Sequence, residues 1–459
     1  MNYKDFFKNK KILMMGLGIL GRGVNVAKFL ANAGAELTVT DLKDEEQLAS
    51  SLQILSPYKN INYVLGKHNL TDFRDKDMLI KAAGVPLDSP YVAEARKNNI
   101  PVEMDASLFA KLLLSNLSTS NVDNIIVIGV TGTRGKSTVT QLIYEILTAA
   151  NKRVFLGGNV KGLATLPLLE KIKTGDIVVM ELDSWQLQGF SDSKISPHVA
   201  VFASFMRDHM NYYKGDMNAY FADKANIFKY QKAGDYLVCG EQVAEFMKDN
   251  GFKSIGKKLV ASKKNIPSEW NIKLQGEHNL ANIAMAVKAS EIFGVSGDII
   301  KNTVENFTGA PGRLEFVKEI NGIKFYNDTT ATTPDAAIAA VKSLREDGKS
   351  NIILIGGGAD KELDFNEYAG FIKDKIKAMA LFKGAATDKI MAAFGETGFP
   401  IEIFDNMPAA FKFAVSNADK GDVVLLSPGA ASFGVFKNEF DRGEQFIEEI
   451  SKLRLRQNE

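Results

Sequence analysis

Apolar residues occur along the chain in short continuous runs, separated by longer stretches with helical periodicity. The runs at 11–15, 36–40, 63–65 and 78–81 predict strands, and residues 24–33 predict a helix after the first of them. After a polar, linker-like stretch at 115–124, the alternation continues with strands at 124–130, 176–181 and 198–204. This alternation indicates an α/β fold with parallel sheets throughout.

A third alternating segment begins near Leu314, with predicted strands at 324–326, 351–355, 378–382 and 422–426. It follows the turn-forming run TGAPGR at 308–313, which is typical of a connection between domains. A chain of 459 residues is long enough for about three domains of roughly 150 residues each. We therefore predict three α/β domains, at 1–118, 119–309 and 310–459.

Composition narrows the class of protein. A net charge of +1 provides no general attraction to nucleic acid or to an anionic membrane, so neither is expected as a partner. The single cysteine, Cys239, excludes an intrachain disulfide and favours a reducing compartment. The amino-terminal residues lack the apolar stretch of a signal peptide, and no later run approaches the roughly 20 apolar residues of a membrane helix. We expect a cytoplasmic protein.

Gly16, Gly18 and Gly21 form a GxGxxG pattern directly after the first predicted strand, and Asp41 follows about 20 residues later. Such glycines let backbone amides and a helix N-terminus approach a phosphate pair, while the acid can bind ribose hydroxyls. The pattern is typical of NAD-binding domains, but a UDP-sugar would satisfy the same physics. This segment alone also allows tight packing of a strand on a helix without any nucleotide.

The second unit carries a phosphate-binding loop, VTGTRGKS at 130–137, between a predicted strand and a predicted helix at 138–147. The strict GxxxxGK[ST] pattern fails because position 130 is Val. Gly132 and Gly135 nevertheless permit a loop with exposed amides, Lys136 can reach the β- and γ-phosphates, and Ser137 can bind Mg²⁺. We therefore predict binding of a nucleoside triphosphate. A dehydrogenase has no use for such a loop, so it also argues against NAD in the first unit.

The run TGTRGKST resembles the TGTxGK[ST] loop of the Mur ligases and their relatives, the folylpolyglutamate and poly-γ-glutamate synthases. The similarity continues, in the family's order, through VVMELDSWQL, FMRDHMNYY, GEHNLANIAMA and SPGAASFGVFKNEFDRG. It implies a Rossmann-like UDP-sugar domain, a central P-loop ATPase domain with a parallel sheet, and a dinucleotide-fold-like domain for an amino acid. The implied activity is ATP-dependent addition of D-glutamate to UDP-N-acetylmuramoyl-L-alanine through an acyl phosphate, by a monomer.

The resemblance also implies two Mg²⁺ ions. Ser137 and Glu181 match the residues that hold one of them, and His209 and Lys224 match those that hold the other. An ammonium cannot bind a cation, so this role requires carbamylation, in which CO2 converts the amine of Lys224 into an anionic oxygen ligand. The competing interpretation of Lys224 is a solvated lysine on an amphipathic helix. The predicted catalytic residues are Lys136, Glu181, His209 and Lys224.

The remaining site residues follow from the matched segments. Residues implied in ATP binding are Gly132, Thr133, Arg134, Gly135, Lys136, Ser137, Thr138, Asn279, Asn282, Arg313 and Asp328. Residues implied in binding the UDP-linked substrate are Gly18, Ile19, Leu20, Asp41, Gly84 and Asn159. Residues implied in binding the amino acid are Thr332, Lys361 and Ser432.

The chain departs from the pattern of the D-glutamate-adding members at several positions. Arg134 stands where Asn is usual, Gly312 replaces a His, Thr330 replaces a Lys, and Glu439 replaces a Phe. Leu42-Lys43 also differs from the usual Thr-Arg beside the uracil. These differences leave open a sister ligase for another acceptor or amino acid. A NAD-dependent oxidoreductase and a nucleotide-binding protein without catalysis are the alternatives from other classes.

Overall fold

The structure is a computed structural model that describes residues 3–18, 21–114, 124–160, 163–274, 276–345, 349–360 and 363–455. Its strands are β1 Lys11–Met15, β2 Glu36–Asp41, β3 Ile61–Leu65, β4 Met78–Lys81, β5 Val102–Glu103, β6 Ile126–Thr131, β7 Val154–Gly158, β8 Ile177–Glu181, β9 Val199–Phe202, β10 Tyr236–Gly240, β11 Lys257–Ala261, β12 Glu315–Ile320, β13 Ile323–Asn327, β14 Ile352–Gly357, β15 Ile376–Phe382, β16 Ile401–Phe404 and β17 Val423–Leu426.

The helices alternate with these strands over most of the described chain. They are α1 Tyr3–Phe7, α2 Arg22–Asn32, α3 Ala49–Leu55, α4 Pro90–Lys97, α5 Asp105–Leu114, α6 Lys136–Ala149, α7 Ser184–Ser193, α8 Met217–Lys229, α9 Glu241–Asp249, α10 Glu277–Glu291, α11 Gly297–Asn306, α12 Pro334–Leu344, α13 Asn366–Ile372, α14 Ala385–Phe394, α15 Met407–Ser416 and α16 Glu439–Leu455. The predicted α/β class is confirmed.

The first sheet is parallel, with the strand order β3-β2-β1-β4-β5. The connections after β1 and β4 lead to opposite sides of the sheet, so a crevice is expected between these neighbours at their carboxyl ends. The predicted glycine turn follows β1, and the loop with Gly84 follows β4. The topology therefore brings two predicted parts of the UDP-sugar site to one edge.

The central sheet is also parallel, in the order β11-β10-β9-β6-β8-β7. Every residue of β8 and β9 is buried, as expected for parallel strands that are covered on both faces. The loop after β6 and the end of β8 meet at one edge because these strands are neighbours. The predicted linker at 115–124 lies outside the described residues, apart from Asn124.

The third sheet is mixed, in the order β12-β13-β17-β14-β15-β16, and the prediction of parallel sheets throughout is wrong here. Strands β12 and β13 pair antiparallel, whereas the other pairs are parallel. The reason is the Asn321-Gly322 turn, in which both residues have positive φ, 55° and 78°. Asn-Gly is the favoured two-residue connection of a β-hairpin, and it reverses the chain before a crossover helix can form.

Inter-residue contacts divide the chain into two units: Met1–Pro267 with Ala281–Thr303, and Ser268–Leu280 with Val304–Glu459. The first unit contains the first and central sheets, and the second unit contains the mixed sheet. The predicted boundaries at 118/119 and 309/310 stay predictions. Within the described ranges, no helix combines the length and apolar character needed to cross a membrane.

Candidate active site

The phosphate-binding loop lies between β6 and α6, and its conformation depends on glycine. Gly132 and Gly135 have φ of +152° and +84°, and Gly135 caps the N-terminus of α6. A Cβ atom at Gly132 would lie 2.9 Å from the backbone nitrogen of Ser204. The Thr133 amide also donates to the Ser204 carbonyl at 2.7 Å. The loop is therefore held against the segment that follows β9.

Two lysine side chains donate to one carbonyl of this loop. Lys136 Nζ lies 3.0 Å from the Gly132 oxygen, and Lys224 Nζ lies 3.1 Å from the same atom. Lys136 also donates to the Thr133 carbonyl at 3.2 Å. Two ammonium groups so close repel each other, and burial weakens the screening of that repulsion. The site therefore favours loss of positive charge from one of the two lysines.

Lys224 is the lysine that is buried. It is 2% exposed, on the inward face of α8, which also buries Tyr220 and Phe228. Its ammonium lies 4.9 Å from the centroid of the Tyr220 ring. Burial, and then the charge of Lys136, lower the pKa of Lys224 to about 7. The interpretation of Lys224 as a solvated surface lysine is therefore wrong.

Ser137 and Glu181 meet at the carboxyl end of the central sheet. Ser137 Oγ donates to Glu181 Oε2 at 2.6 Å, and Glu181 is buried at the end of β8. A hydroxyl and a carboxylate in contact beside a phosphate loop are suitable oxygen donors for Mg²⁺. Among the described residues, no group of three or more His, Cys, Asp or Glu side chains is arranged to hold a metal. A cation held by Ser137 and Glu181 would need further oxygen ligands from bound phosphate or water.

His209 lies close to the aromatic ring on which Lys224 packs. Its ring centroid is 4.9 Å from that of Trp185 and 6.1 Å from that of Tyr220, over which Lys224 packs. Its backbone is left-handed, with φ of 54°, an uncommon conformation for a residue other than glycine. Burial lowers the pKa of His209. The charge of Asp208 raises this pKa, whereas the charges of Lys224 and Lys136 lower it further. A neutral imidazole of this kind can act as a metal ligand.

Arg134 is partly exposed, and its guanidinium lies 3.9 Å from the carboxylate of Asp208, the residue before His209. Its backbone is fixed, because its amide donates to Ser204 Oγ and its carbonyl accepts from the same hydroxyl, each at 2.9 Å. Thr138 is buried in the first turn of α6. The departure at Arg134 therefore leaves the loop backbone intact and adds a partly exposed cation at its rim.

Asp41 has a different environment from the one that the glycine pattern suggests. Its Oδ2 atom accepts from the amides of Leu17 and Gly18 at 2.8 and 3.0 Å, and Oδ1 accepts from the Lys43 amide at 2.9 Å. Burial opposes ionisation, but the bonds from Gly18, Lys43 and Leu17 outweigh it and lower the pKa of Asp41. The carboxylate therefore braces the glycine turn. Its contact with a ribose stays a prediction.

Other predicted contacts of the UDP-linked substrate lie around this turn. Gly84 is exposed, and a Cβ atom there would meet nothing within 4 Å, so the loop after β4 is open. Asn159 follows β7, and its amide donates to the Glu181 carbonyl at 2.6 Å. Ile19 and Leu20 lie outside the described residues. The structure therefore brings Asn159 next to the strand that carries the predicted metal ligand.

Asn279 and Asn282 are both buried in α10, three residues apart and thus on one side of the helix. A Cβ atom at Gly135 would lie 2.3 Å from Asn282 Oδ1. The carboxamide of Asn282 therefore packs directly against the phosphate-binding loop. This contact explains why a glycine is needed at position 135 beyond its backbone conformation.

We expect Gly135→Ala to destabilise the protein and to weaken ATP binding at least tenfold, because the new methyl group displaces Asn282. Gly175→Ala is a matched control, since Gly175 has φ of +85° and nothing within 4 Å of its Cβ position. The control should show only the backbone cost, about 1–2 kcal/mol. Thermal unfolding and nucleotide titration measure both effects. Equal behaviour of the two variants would contradict the packing argument.

The second unit buries Asp328 at the end of β13. Its carboxylate accepts from the Leu314 amide at 3.0 Å and from the Ser427 hydroxyl at 2.8 Å. Burial raises the pKa of Asp328 to about 7, although these hydrogen bonds and Arg313 oppose the shift. Arg313 itself is exposed. Asp328 therefore joins three segments, whereas Arg313 lies at the surface.

Of the residues predicted to hold the amino acid, Ser432 is buried and Thr332 is half-buried before α12. An antiparallel bridge between Ala359 and Ala431 joins the loop after β14 to the segment that contains Ser432. Lys361 lies outside the described residues, so its predicted role in binding the γ-carboxylate of glutamate stays a prediction.

Two departures from the family pattern, Gly312 and Thr330, contact each other. The Thr330 hydroxyl donates to the Gly312 carbonyl at 2.8 Å, and its amide donates to the same oxygen at 3.1 Å. A Cβ atom at Gly312 would lie 2.9 Å from Cγ2 of Thr329. The Thr329 hydroxyl in turn donates to the carbonyl of Glu439, the third departure. These unusual residues therefore form one connected region.

Arg442, which the sequence analysis did not select, is completely buried in this region. It donates to the hydroxyl and carbonyl of Thr329, at 3.1 and 2.8 Å, and to the Ala430 carbonyl at 3.4 Å. The sequence spacing indicates its burial, because Arg442 lies four and eight residues before Phe446 and Ile450 and so shares their side of the helix. All three residues are buried in the structure. Arg442 fastens α16 to the loops that carry Thr329 and Ala430.

Comparison with known families matches each sheet to a Mur ligase domain. Residues 10–103 match the Mur ligase MurD-like N-terminal domain, residues 130–257 the Mur ligase middle domain, and residues 312–429 the Mur ligase glutamate ligase domain. The predicted three-domain organisation is thereby confirmed.

Curated relatives match over nearly the whole chain. The UDP-N-acetylmuramoylalanine--D-glutamate ligase of Roseiflexus sp. (strain RS-1) is 36% identical over 95% of this chain and 97% of its own. The protein of the same name from Borreliella burgdorferi (strain ATCC 35210 / DSM 4680 / CIP 102532 / B31) is 34% identical over 98% of this chain and 99% of its own.

Solved structures share the fold at low identity. UDP-N-acetylmuramate-alanine ligase MurC from Thermotoga maritima matches with a TM-score of 0.60 at 17% identity, over 97% of this chain and 100% of that one. MurF ligase from the same organism, in complex with ADP, matches with a TM-score of 0.56 at 16% identity, over 99% and 98%. With near-complete relatives above 30% identity and all three domains matched in order, this chain belongs to the Mur ligase family.

Proposed function

We propose that this protein is an ATP-dependent ligase that joins D-glutamate to UDP-N-acetylmuramoyl-L-alanine in peptidoglycan precursor synthesis. The observation that carries this proposal is the identity of 34–36% over nearly the full length to ligases with that name. The arrangement of Lys136, Ser137, Glu181 and Lys224 at one edge of the central sheet supplies the matching chemistry. We expect a cytoplasmic monomer.

ATP is the nucleotide that this family uses, and one solved relative is named as a complex with ADP. The N-terminus of α6 and the glycine loop direct backbone amides towards a bound phosphate. Lys136 adds a positive charge that can reach the γ-phosphate, and its ammonium donates to the Gly132 and Thr133 carbonyls of the same loop. Positioning and electrostatic stabilisation account for most catalysis of phosphoryl transfer.

Mg²⁺ fits the donor set of this site. Ser137 and Glu181 would hold one ion, and His209 with a carbamylated Lys224 would hold a second. Bound Mg²⁺ neutralises the charge of the triphosphate and of the acyl phosphate. Carbamylation is consistent with the burial of Lys224 and with the Gly132 carbonyl to which Lys224 and Lys136 both donate. A carbamate on Lys224 would replace the repulsion between two ammonium groups by an ion pair with Lys136.

The proposed reaction has two steps. An oxygen of the alanine carboxylate attacks the γ-phosphorus of ATP, ADP leaves, and an acyl phosphate forms. The neutral amine of D-glutamate then attacks the acyl carbon, inorganic phosphate leaves, and the amine loses a proton. Lys136 stabilises negative charge during phosphoryl transfer. Thr332, Lys361 and Ser432 would bind the carboxylates of the incoming glutamate and orient its amine.

An amino-acid panel tests this proposal directly. We expect purified protein with ATP, Mg²⁺ and UDP-N-acetylmuramoyl-L-alanine to release phosphate rapidly with D-glutamate, and at least about 10²-fold more slowly with L-glutamate, D-aspartate or D-alanine. The measurement is phosphate release, with product mass as confirmation. Preference for another amino acid would support the alternative of a sister ligase. The observation that motivates this alternative is the connected group of residues that differ from the family pattern, Gly312, Thr330 and Glu439. The NAD-dependent oxidoreductase is not favoured by any of the relatives described.

A further inference from the structure

Arg22 joins the first sheet to the central one within the first unit. It is the first residue of α2, immediately after the glycine turn, and its guanidinium points to the segment that follows β7. Nε donates to the Leu163 carbonyl at 3.1 Å, and Nη2 donates to the Val160 carbonyl at 3.0 Å. Both Nη atoms lie 3.4 Å from Asn159 Oδ1. One side chain thus binds three acceptors across a separation of well over 100 residues.

The contacts of Arg22 determine which side of the Asn159 carboxamide faces outwards. A guanidinium carries only donors, so it must face the oxygen of the carboxamide and not its NH2 group. The Nδ2 group, with two N–H donors, is then directed away from Arg22. No hydrogen bond of Asn159 Nδ2 is seen within the described part of the chain. These donors are available for an oxygen acceptor.

The backbone of the same segment is held independently of Arg22. The Asn159 amide donates to the Glu181 carbonyl at 2.6 Å. Gly158, with φ of +77°, lies so close that a Cβ atom would be 2.0 Å from that carbonyl. Loss of Arg22 should therefore free the side chain of Asn159 while the strand that carries Glu181 keeps its place. This separation makes a selective effect possible.

We propose that Arg22 is a positioning residue that orients the Asn159 carboxamide, so that its two N–H groups bind an oxygen of the UDP-linked substrate. This inference rests on the proposed function for the identity of that substrate. It assigns to the first domain a role in shaping the central one, beyond the nucleotide contacts of its glycine turn. Arg22 would act through Asn159 and would not touch the reacting atoms.

The experiment compares Arg22→Ala, Asn159→Asp and a control, Arg74→Ala, which removes an exposed arginine paired with Glu94 inside the first domain. We expect Arg22→Ala to raise the KM for UDP-N-acetylmuramoyl-L-alanine about tenfold and to leave the KM for ATP within about twofold. Arg74→Ala should leave both KM values unchanged.

Asn159→Asp separates orientation from mere structural support. The carboxylate strengthens the pair with Arg22 but removes both N–H donors, so a purely structural role predicts equal or better function. We expect an unchanged or higher Tm together with a KM for the UDP-linked substrate raised at least tenfold. An unchanged KM in this variant, or in Arg22→Ala, would overturn the inference. If calorimetry detects no binding of the UDP-linked substrate to the wild-type protein, that result contradicts the proposed function and not the positioning role of Arg22.

Discussion

The Lys136→Ala variant is expected to lose ATP-dependent ligation by about 10³-fold or more. Lys136 is the lysine of the phosphate-binding loop, and its ammonium donates hydrogen bonds to the Gly132 and Thr133 carbonyls. Without it, negative charge that develops on the transferred phosphoryl group lacks the counter-charge that this lysine supplies. Formation of ADP, measured with saturating D-glutamate and UDP-N-acetylmuramoyl-L-alanine, gives the effect.

Lys152→Ala provides the matched control, because Lys152 is an exposed lysine just beyond the opposite end of α6. That variant should keep wild-type turnover and stability. The Lys136→Ala protein should also unfold within a few degrees of the wild-type temperature, since the side chain is only half-buried and packs in no apolar core. Turnover within a few-fold of wild type in Lys136→Ala would show that the loop does not carry the transferred phosphate.

Lys224→Ala is expected to lose at least about 10²-fold in ligation and to recover part of it with acetate, propionate or another short carboxylic acid. The substitution removes the group that carbamylation would convert into an anionic ligand, and it leaves a buried space beside Tyr220. A small carboxylate can occupy this space and supply the missing oxygens. Recovery of activity also demonstrates that the variant is folded.

Lys229→Ala, on the exposed side of the same helix, is the control and should behave like wild type with or without added acid. Carbamylation requires a neutral amine, and the lowered pKa of Lys224, about 7, makes the neutral form predominant above that pH. A ¹³C carbamate signal from labelled bicarbonate should therefore weaken as the pH falls through about 7. Full activity of Lys224→Ala without rescue would identify Lys224 as a structural lysine only.

Local sequence patterns predicted the strands that border the site. The bounds of β1 and β4 agree with the predicted runs, and those of β2, β6 and β8 differ by at most two residues at either end. These strands are short, continuous apolar runs with glycine or polar residues directly after them, which is a strong local signal. The phosphate loop was equally clear, because glycine spacing and the following helix are both local properties.

The local pattern did not predict the antiparallel β12–β13 hairpin or the edge strands β11 and β16. The Asn321-Gly322 turn was a readable hairpin signal, but the general strand–helix alternation suggested parallel pairing instead. Strands β11 and β16 contain many exposed residues, so they lack the apolar runs of central strands. Edge strands are partly solvated, and their sequence is therefore less distinctive.

By itself, the sequence determined the α/β class, the phosphate loop with Lys136 and Ser137, and the order of the family's segments, since each depends on neighbours along the chain. Only the tertiary structure decided that Lys224 is buried and shares the Gly132 carbonyl with Lys136, and that Arg22 meets Asn159. The physical reason is that burial, desolvation and hydrogen bonding are set by groups distant in sequence, which strand order and helix packing bring together.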